Sequence, residues 1–445
     1  MISTREAADM LGVSVRRVQA LVKSGDLAAT KLGRTILVDE EDVRRRMLEP
    51  RLRGRPKMGQ KNVLSLGSYT LMCRNHEVFD FTYDNLRKTA RVDALKEVAY
   101  SPLGTGRNGK PNNYDLAIWI SRRYMPALRP EARSAMAAAK VASPDELMFA
   151  AMGLNLSDQY WFRPAGTRAD WHDVNFFEND FEPLDESPLR APDSSTPGAL
   201  PKRWECRGRE RWLMKGSSTG EQREPYNEAL ATRLAGRILA AGEYVPYRLE
   251  ERGGRVVSAC KTMATEQTEF VSANEVAVWA GATEGRDLYA AYAQACERLG
   301  VEGVRTLLSK MIVFDYIMAN FDRHRGNFGL VRDSESLGDW RVAPLFDNGS
   351  GFFSRATASE LGKRTFTYQA NPFEDYPLVQ VARAEDLSWF DPQMLEGFPD
   401  EVREALSANR LLPEGFAEAA ARHVERHIAI VEDFAAERIE LFAGF

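Results

Sequence analysis

The chain has 445 residues, 44% hydrophobic and 28% charged, which describes a globular protein of about three domains and excludes a disordered or fibrous one. No apolar run reaches the roughly 18 residues of a membrane span, the first residues lack a signal-peptide core, and Cys73, Cys206, Cys260 and Cys296 are too dispersed for a zinc knuckle or disulfide framework, so a cytoplasmic address away from membranes is expected. The net charge of −5 conceals a basic head: residues 1–61 hold 14 Lys and Arg against 8 Asp and Glu, and the remainder holds 45 against 56. Such a head on an acidic body points to an anionic partner, with nucleic acid as the first expectation.

Ser3-Thr4-Arg5-Glu6 reads as a capping box opening a helix with Ala7, Ala8 and Leu11 on one face. After Gly12-Val13, Ser14 caps a second helix to about Ser24, on which Val15, Val18, Leu21 and Val22 form the buried stripe. Arg16, Arg17, Gln19 and Lys23 are left facing outward, where they can meet phosphates and base edges. Residues 28–32 and 34–38 flank Gly33 as a hairpin carrying Lys31 and Arg34, and Asp39 caps a third helix with Val43 and Met47. This order resembles the winged helix-turn-helix domains of excisionase and MerR-type proteins over residues 1–48. The resemblance implies double-stranded DNA binding, with the second helix in the major groove and a homodimer on the DNA. The alternative is a helical protein-interaction module with a solvated basic face. The run 49–62, with Arg51, Arg53, Arg55, Lys57 and Lys61, reads as a basic linker or a minor-groove arm.

From Val63 to Phe81 alternating residues predict a strand pair, and 112–160 predict helices. Gly104-Thr105-Gly106-Arg107-Asn108-Gly109-Lys110 lacks the Ser or Thr that ends a phosphate loop and reads as an exposed turn. The Pro- and Ser-rich stretch 185–197 reads as a linker or a mobile loop.

Phosphoryl transfer from ATP needs backbone donors and a cation at the phosphates, carboxylate or amide ligands for Mg²⁺, and a carboxylate that aligns the acceptor hydroxyl. Each has a candidate in chain order. Ser194 to Lys202 contains Gly198, which allows close backbone approach to a phosphate. Arg211 to Lys215 is an apolar strand ending in lysine, followed by a helix from about Pro225 with Leu230, Leu234 and Ile238 on one stripe and Glu228 in position to hold Lys215. Residues 320–327 (NFDRHRGN) leave an apolar helix, Leu307 to Met318, and space Asp322 and Asn327 five apart. Their charged and amide groups fit no apolar face and are expected to serve chemistry. Residues 340–346 form an apolar strand that ends in Asp347-Asn348-Gly349, where a metal-binding aspartate or a hairpin turn fits.

These segments, together with 156–164 (LSDQYWFRP), 171–177 (WHDVNFF) and 227–236 (NEALATRLAG), resemble the HipA family of bacterial Ser/Thr kinases over residues 63–445. The resemblance implies a multidomain α+β chain: a small winged helix-turn-helix, then a two-lobed protein-kinase-like (HipA-like) fold with a largely helical C-lobe. Its N-lobe is expected at 63–275 and its C-lobe at 276–445. ATP is implied in the cleft, its adenine against the backbone near Ala259 to Met263. Carried over by position, Asp322 is the catalytic carboxylate, Asn327 and Asp347 hold Mg²⁺, and Lys215 binds phosphate. Gly198 and Lys202 lie in the phosphate loop. Ser195 stands where family members are autophosphorylated, with Ser194 and Thr196 as alternatives. A protein substrate follows, in family members part of the translation apparatus, as does an antitoxin partner. Leu200-Pro201 departs from the polar residues the family has in this loop, and the fused DNA-binding unit departs from a separate antitoxin. A nucleotide-sensing transcriptional regulator and a small-molecule phosphotransferase are the alternatives.

Two further signals carry less. His423 and His427, four apart on a helix, read as surface residues rather than a metal pair. Trp161, Trp171, Phe176 and Phe177 read as packing between domains, and the stretch from Pro413 as helices.

Overall fold

The computed structural model describes residues 2–11, 15–23, 27–32, 35–39, 42–43, 66–282, 287–363 and 366–443. Two compact units make up the chain, 1–65 and 66–445.

In the first unit the capping box forms: the Ser3 amide donates to Glu6 Oε2 at 2.8 Å and the Glu6 amide to Ser3 Oγ at 3.2 Å. The helices are Thr4–Leu11 and Val15–Lys23, and the hairpin pairs Ala29–Leu32 with Thr35–Val38. Ala7, Ala8, Leu11, Val18 and Leu21 are buried with Leu27, Val38 and Val43. Val15 departs from the expected stripe. It begins its helix and is 37% exposed, beyond the reach of the core that Val18 and Leu21 fill. The short strand Ile2–Ser3 pairs with residues 37–38, which widens the hairpin to three strands. Asp39 Oδ1 accepts the Asp42 amide at 3.1 Å, the cap expected of a third helix. Met47 and the linker 49–62 lie outside the described residues.

The second unit mixes helices and antiparallel sheets. Its first sheet runs in the order Thr89–Leu95, His76–Asp84, Leu66–Cys73, Tyr160–Pro164. Phe79, Phe81 and Tyr83 alternate inward against Leu116, Trp119 and Phe149 of two helices, Asn113–Ser121 and Pro144–Ala150. Both helices are capped as their sequences demand, by Asn112 and Ser143. Within 112–160 helices do form, and the strand that follows them closes the sheet.

Residues 104–110 correct the expected exposed turn. Only the tip at Asn108-Gly109 turns, between the two-residue strands Gly106–Arg107 and Lys110–Pro111. Leu103, Gly104, Thr105 and Gly106 are buried, because helix Ala273–Ala280 packs over them. Residues 185–197 are likewise built into the fold: two 3-10 turns, Pro188–Arg190 and Pro192–Ser195, bury Pro192 to Ser195.

A second sheet follows in the order Lys202–Arg207, Glu210–Lys215, Arg255–Lys261, Arg248–Arg252. Trp161, Trp171 and Phe176 are buried with Trp204, and Phe177 and Leu213 pack beside them, so the aromatics expected between substructures join the two sheets. Helix Arg223–Ile238 buries Leu230, Leu234 and Ile238 as its periodicity predicts. The same core continues through helices Leu288–Arg298, Val304–Ile317, Phe398–Ser407 and Phe416–Ala443. His423 and His427 correct another expectation: they are interior. His423 Nε2 meets the Leu361 carbonyl at 2.8 Å, and His427 lies against Tyr316, its pKa pushed down to about 4 by burial. Among the described residues no helix is long and apolar enough to cross a membrane.

Candidate functional site

Strand Glu210–Lys215 alternates so that Trp212 and Met214 are buried, and its last residue is an interior lysine only 3% exposed. A buried ammonium is costly unless carboxylates meet it. Two do: Lys215 Nζ donates to Glu228, from the helix Arg223–Ile238, and to Asp347 Oδ1 at 2.5 Å. Glu228 is wholly buried and its second oxygen accepts the Asn348 amide at 2.9 Å, which links the helix to the Asp-Asn-Gly segment. Burial alone would lower Lys215 and raise Asp347. Their mutual attraction overcomes it, so Lys215 is raised and Asp347, beside Lys215 and Lys202, is held well below the usual carboxylate range. Burial raises Glu228.

Asp347 adopts φ +57°, and the two-residue strand Arg341–Val342 ends well before it. The expected apolar strand up to residue 346 is therefore shorter. Leu345 instead bridges to Tyr244, and the chain turns at Asp347.

Residues 320–327 leave the helix Val304–Ile317 and are held from beneath by Arg323, which is fully buried. Its guanidinium donates to Asp315 at 2.9 and 2.8 Å, to the carbonyls of Asn327 at 3.0 Å and Phe346 at 2.6 Å, and to Asn348 Oδ1 at 2.5 Å. One side chain thus fixes the loop of Asp322 and Asn327 against the segment of Asp347. Asn320, also buried, donates to Asp315 at 2.9 Å. Asn320 and Arg323 therefore belong to the core, contrary to the expectation that this polar cluster serves chemistry alone. Asn327 Nδ2 donates to the Asp322 carbonyl at 3.3 Å, which leaves its Oδ1 to act as an acceptor. Asp322 is half-buried. Burial and the Asp347 charge raise its pKa, against the pull of His324, Arg355 and Ser350.

On the facing side, Arg129 is buried and donates to the carbonyls of Thr196 at 2.7 Å, Pro197 at 3.1 Å and Gly198 at 3.0 and 3.1 Å. Gly198 has φ +99°, a backbone conformation that favours glycine, and Lys202 Nζ folds back beside its α-carbon. Lys202 Nζ donates to the Pro197 carbonyl at 2.9 Å, and burial pushes its pKa down to about 8. Ser194 Oγ donates to Pro188 at 2.6 Å and Thr196 Oγ1 to Pro192 at 2.8 Å. Ser195 Oγ is buried without a hydrogen-bond partner among the described residues.

These parts surround one cavity of about 410 Å³. Of the candidate residues, Ser195, Gly198, Lys202, Lys215, Asn327 and Asp347 line it; Glu228 reaches it through Lys215, and Asp322 is not among the lining residues. Leu213, Val245, Tyr247, Met263 and Phe346 make an apolar section. Of the expected hinge, Cys260 to Met263 reach the cavity, whereas Ala259 is buried in the sheet opposite Met214 and Arg248.

Sequence reasoning missed Arg129 and Asp315, and the structural role of Arg323. Asp315 alone carried a signal, as a carboxylate inside the apolar run Met311 to Met318. In the N-terminal unit, Gln19 and Lys23 are exposed on helix Val15–Lys23. Arg16 and Arg17 lie on the same helix and Lys31 on strand Ala29–Leu32, but their side chains, and Arg34 altogether, are outside the described residues.

Residues 1–50 match the family described as a helix-turn-helix domain. A 46-residue stretch is 46% identical to the serine/threonine-protein kinase CtkA of Helicobacter pylori, covering 10% of this chain. The match spans 14% of that relative's length. The crystal structure of a Helicobacter pylori proinflammatory kinase, CtkA, aligns over 54% of this chain and 93% of its own, at 17% identity and a TM-score of 0.40.

Breaking the Arg323–Asp315 pair leaves a buried carboxylate unpaired, which costs about 3–5 kcal/mol. Arg323→Leu is therefore expected to lower the unfolding free energy by that order in urea titration, and the double variant Asp315→Leu/Arg323→Leu to recover only the part due to the stranded carboxylate, since the Asn327 and Phe346 carbonyls still lack their donor.

Proposed function

We propose that the chain is an ATP- and Mg²⁺-dependent Ser/Thr protein kinase of the HipA type, with two lobes, 63–275 and 276–445, and a DNA-binding N-terminal unit. The observation that carries the reading is the convergence of Lys215, Asn327 and Asp347, distant in sequence, on one cavity, with Glu228 holding Lys215 from behind. The matches to a helix-turn-helix domain and, over a short stretch, to a Ser/Thr kinase support its two halves.

The donor set fits magnesium: Asp347 is ionised, Asn327 offers an amide oxygen, and nucleotide phosphates and water complete such a site. When bound, the ion would offset charge on the phosphates. The apolar section suits a purine, held by the backbone of Cys260 to Met263. Lys215, kept straight by Glu228, contacts the phosphates, and Gly198 and Lys202 cover them. Asp322 accepts a hydrogen bond from the acceptor hydroxyl and orients it for in-line attack, and its raised pKa suits it to take the proton as transfer proceeds. Ser195, with its hydroxyl uncommitted in the cavity wall, is the proposed autophosphorylation site.

Incubation with labelled ATP and Mg²⁺ is expected to label the chain at Ser195. Asp322→Asn should reduce transfer by about 10²–10⁴-fold and Asp347→Ala abolish it, each with an unchanged circular dichroism spectrum. Absence of both label and nucleotide binding in the wild type refutes the reading.

Lys202 is charged below about pH 8 and neutral above it. Nucleotide affinity is therefore expected to weaken about tenfold from pH 7 to pH 9, following the protonated fraction. Isothermal titration should show this slope flattened in Lys202→Met. For the N-terminal unit, Gln19→Ala/Lys23→Ala should weaken the shift of upstream DNA in a gel, and salt should weaken the wild-type complex steeply. Equal shifts by both proteins would remove this helix as the recognition element.

A further inference from the structure

Of the five histidines, His324 alone lines the cavity. His76 and His172 pair with Glu97 and Glu178 at the surface, and His423 and His427 are interior. His324 sits in the loop that carries Asp322 and Asn327, and its backbone closes that loop. Its amide donates to the Asp322 carbonyl at 2.8 Å, and its carbonyl accepts the Asn327 amide at 2.8 Å. The ring folds over Gly326, where a Cβ would lie 3.0 Å from Nδ1 and from Cε1. The Gly326 amide donates to Nδ1 at 3.0 Å.

A backbone amide can only donate, so Nδ1 is the bare nitrogen and the neutral ring carries its hydrogen on Nε2. Among the described residues Nε2 has no hydrogen-bond partner. Other groups of the loop are disposed differently. Asn327 spends its Nδ2 on the Asp322 carbonyl and keeps an oxygen. Arg323 is buried, and Arg325 lines a separate small pocket with Phe328 and Phe373. His324 is therefore the side chain through which residues 320–327 offer the cavity a free N–H. The two lysines placed at the phosphates are already engaged, Lys215 by Glu228 and Asp347 and Lys202 by the Pro197 carbonyl. The ring also stands close enough to the Asp322 carboxyl to act on its charge.

Resting on the kinase reading above, we infer that His324 is a second catalytic residue, whose Nε2–H donates a hydrogen bond to the terminal phosphate of the bound nucleotide. Asp322 aligns the hydroxyl that attacks that phosphorus, so the phosphate beside this loop is the terminal one. As transfer proceeds, the hydroxyl oxygen bonds to phosphorus, the bond from phosphorus to the bridging oxygen breaks, and ADP leaves with that electron pair. The hydroxyl proton passes to Asp322. His324 keeps its own hydrogen throughout and meets the charge spread over the equatorial oxygens. With Nδ1 taken by Gly326 and Nε2 protonated, the ring has no lone pair to serve as the base.

The test uses the full chain with ¹⁵N-labelled histidine. Long-range ¹H–¹⁵N spectra are expected to show one ring, absent from His324→Gln, with its hydrogen on Nε2. Its Nε2 resonance should move when Mg²⁺ and adenylyl imidodiphosphate are added and stay in place with Mg²⁺ and ADP. A hydrogen on Nδ1, or the same response to both nucleotides, overturns the inference. In single-turnover labelling of the chain by ATP, His324→Ala and His324→Asn should slow transfer about 10²–10³-fold, with the affinity for fluorescent ADP unchanged. His324→Gln, whose amide nitrogen reaches the place of Nε2, should regain about tenfold over His324→Asn, whose shorter amide reaches only that of Nδ1. Equal rates in the Gln and Asn variants, or ADP affinity lost along with rate, also overturn it. Thermal unfolding verifies that the variants are folded. A wild type whose Nε2 responds to the triphosphate analogue but which transfers nothing removes the kinase reading and leaves His324 as a ligand of the terminal phosphate.

Discussion

An ammonium group sealed inside a protein stays charged only where carboxylates are brought to it, and Lys215 imposes that condition on three separate parts of the second unit. The strand delivers the lysine, the helix Arg223–Ile238 delivers Glu228, and the turn at residue 347 delivers Asp347. None of these positions can shift alone without stranding a buried charge. Of the two carboxylates, the one that lines the cavity, Asp347, is held ionised, whereas burial raises the pKa of Glu228. The arrangement thus keeps an ionised carboxylate at a cavity wall while Glu228, deeper in, holds the lysine beside it.

Buried cations organise the loops of the cavity too, with carbonyls taking much of the part that carboxylates play at Lys215. Arg129 spends its donors on the carbonyls of residues 196 to 198, and Arg323 divides its own between the side chains of Asp315 and Asn348 and the carbonyls of residues 327 and 346. A planar, always-charged fork suits this task, because it can hold several carbonyls at once in fixed geometry. Loops of the cavity are therefore set before any ligand arrives. Such preorganisation lets charges and dipoles act on a reaction without first reorienting.

What was legible in the sequence followed from short-range pattern. The stripe Leu230, Leu234, Ile238 announced its helix, alternation announced the strands around 77–83, and Asp322 and Asn327 showed their spacing within one loop. Contacts set by long separation were not legible. Arg129 meets its loop across 67 to 69 residues and sits in a segment without periodicity. The strand Ile2–Ser3 is too short to carry alternation, and Val15 fits a helical stripe that the core does not extend to cover. Residues 104–106 and 191–195 have the composition of surface turns, and only the elements packed over them make them interior. Polarity misled at Arg323, where a charge is part of the core because Asp315 is there to meet it.

The polar groups around Lys215 and Lys202 are already committed: Lys215 to two carboxylates, Lys202 to a loop carbonyl. A ligand there must exchange one set of interactions for another, so binding is selective for a group that can replace Asp347 at Lys215 or share it. A site paired in this way is suited to grip a small polyanion in one geometry.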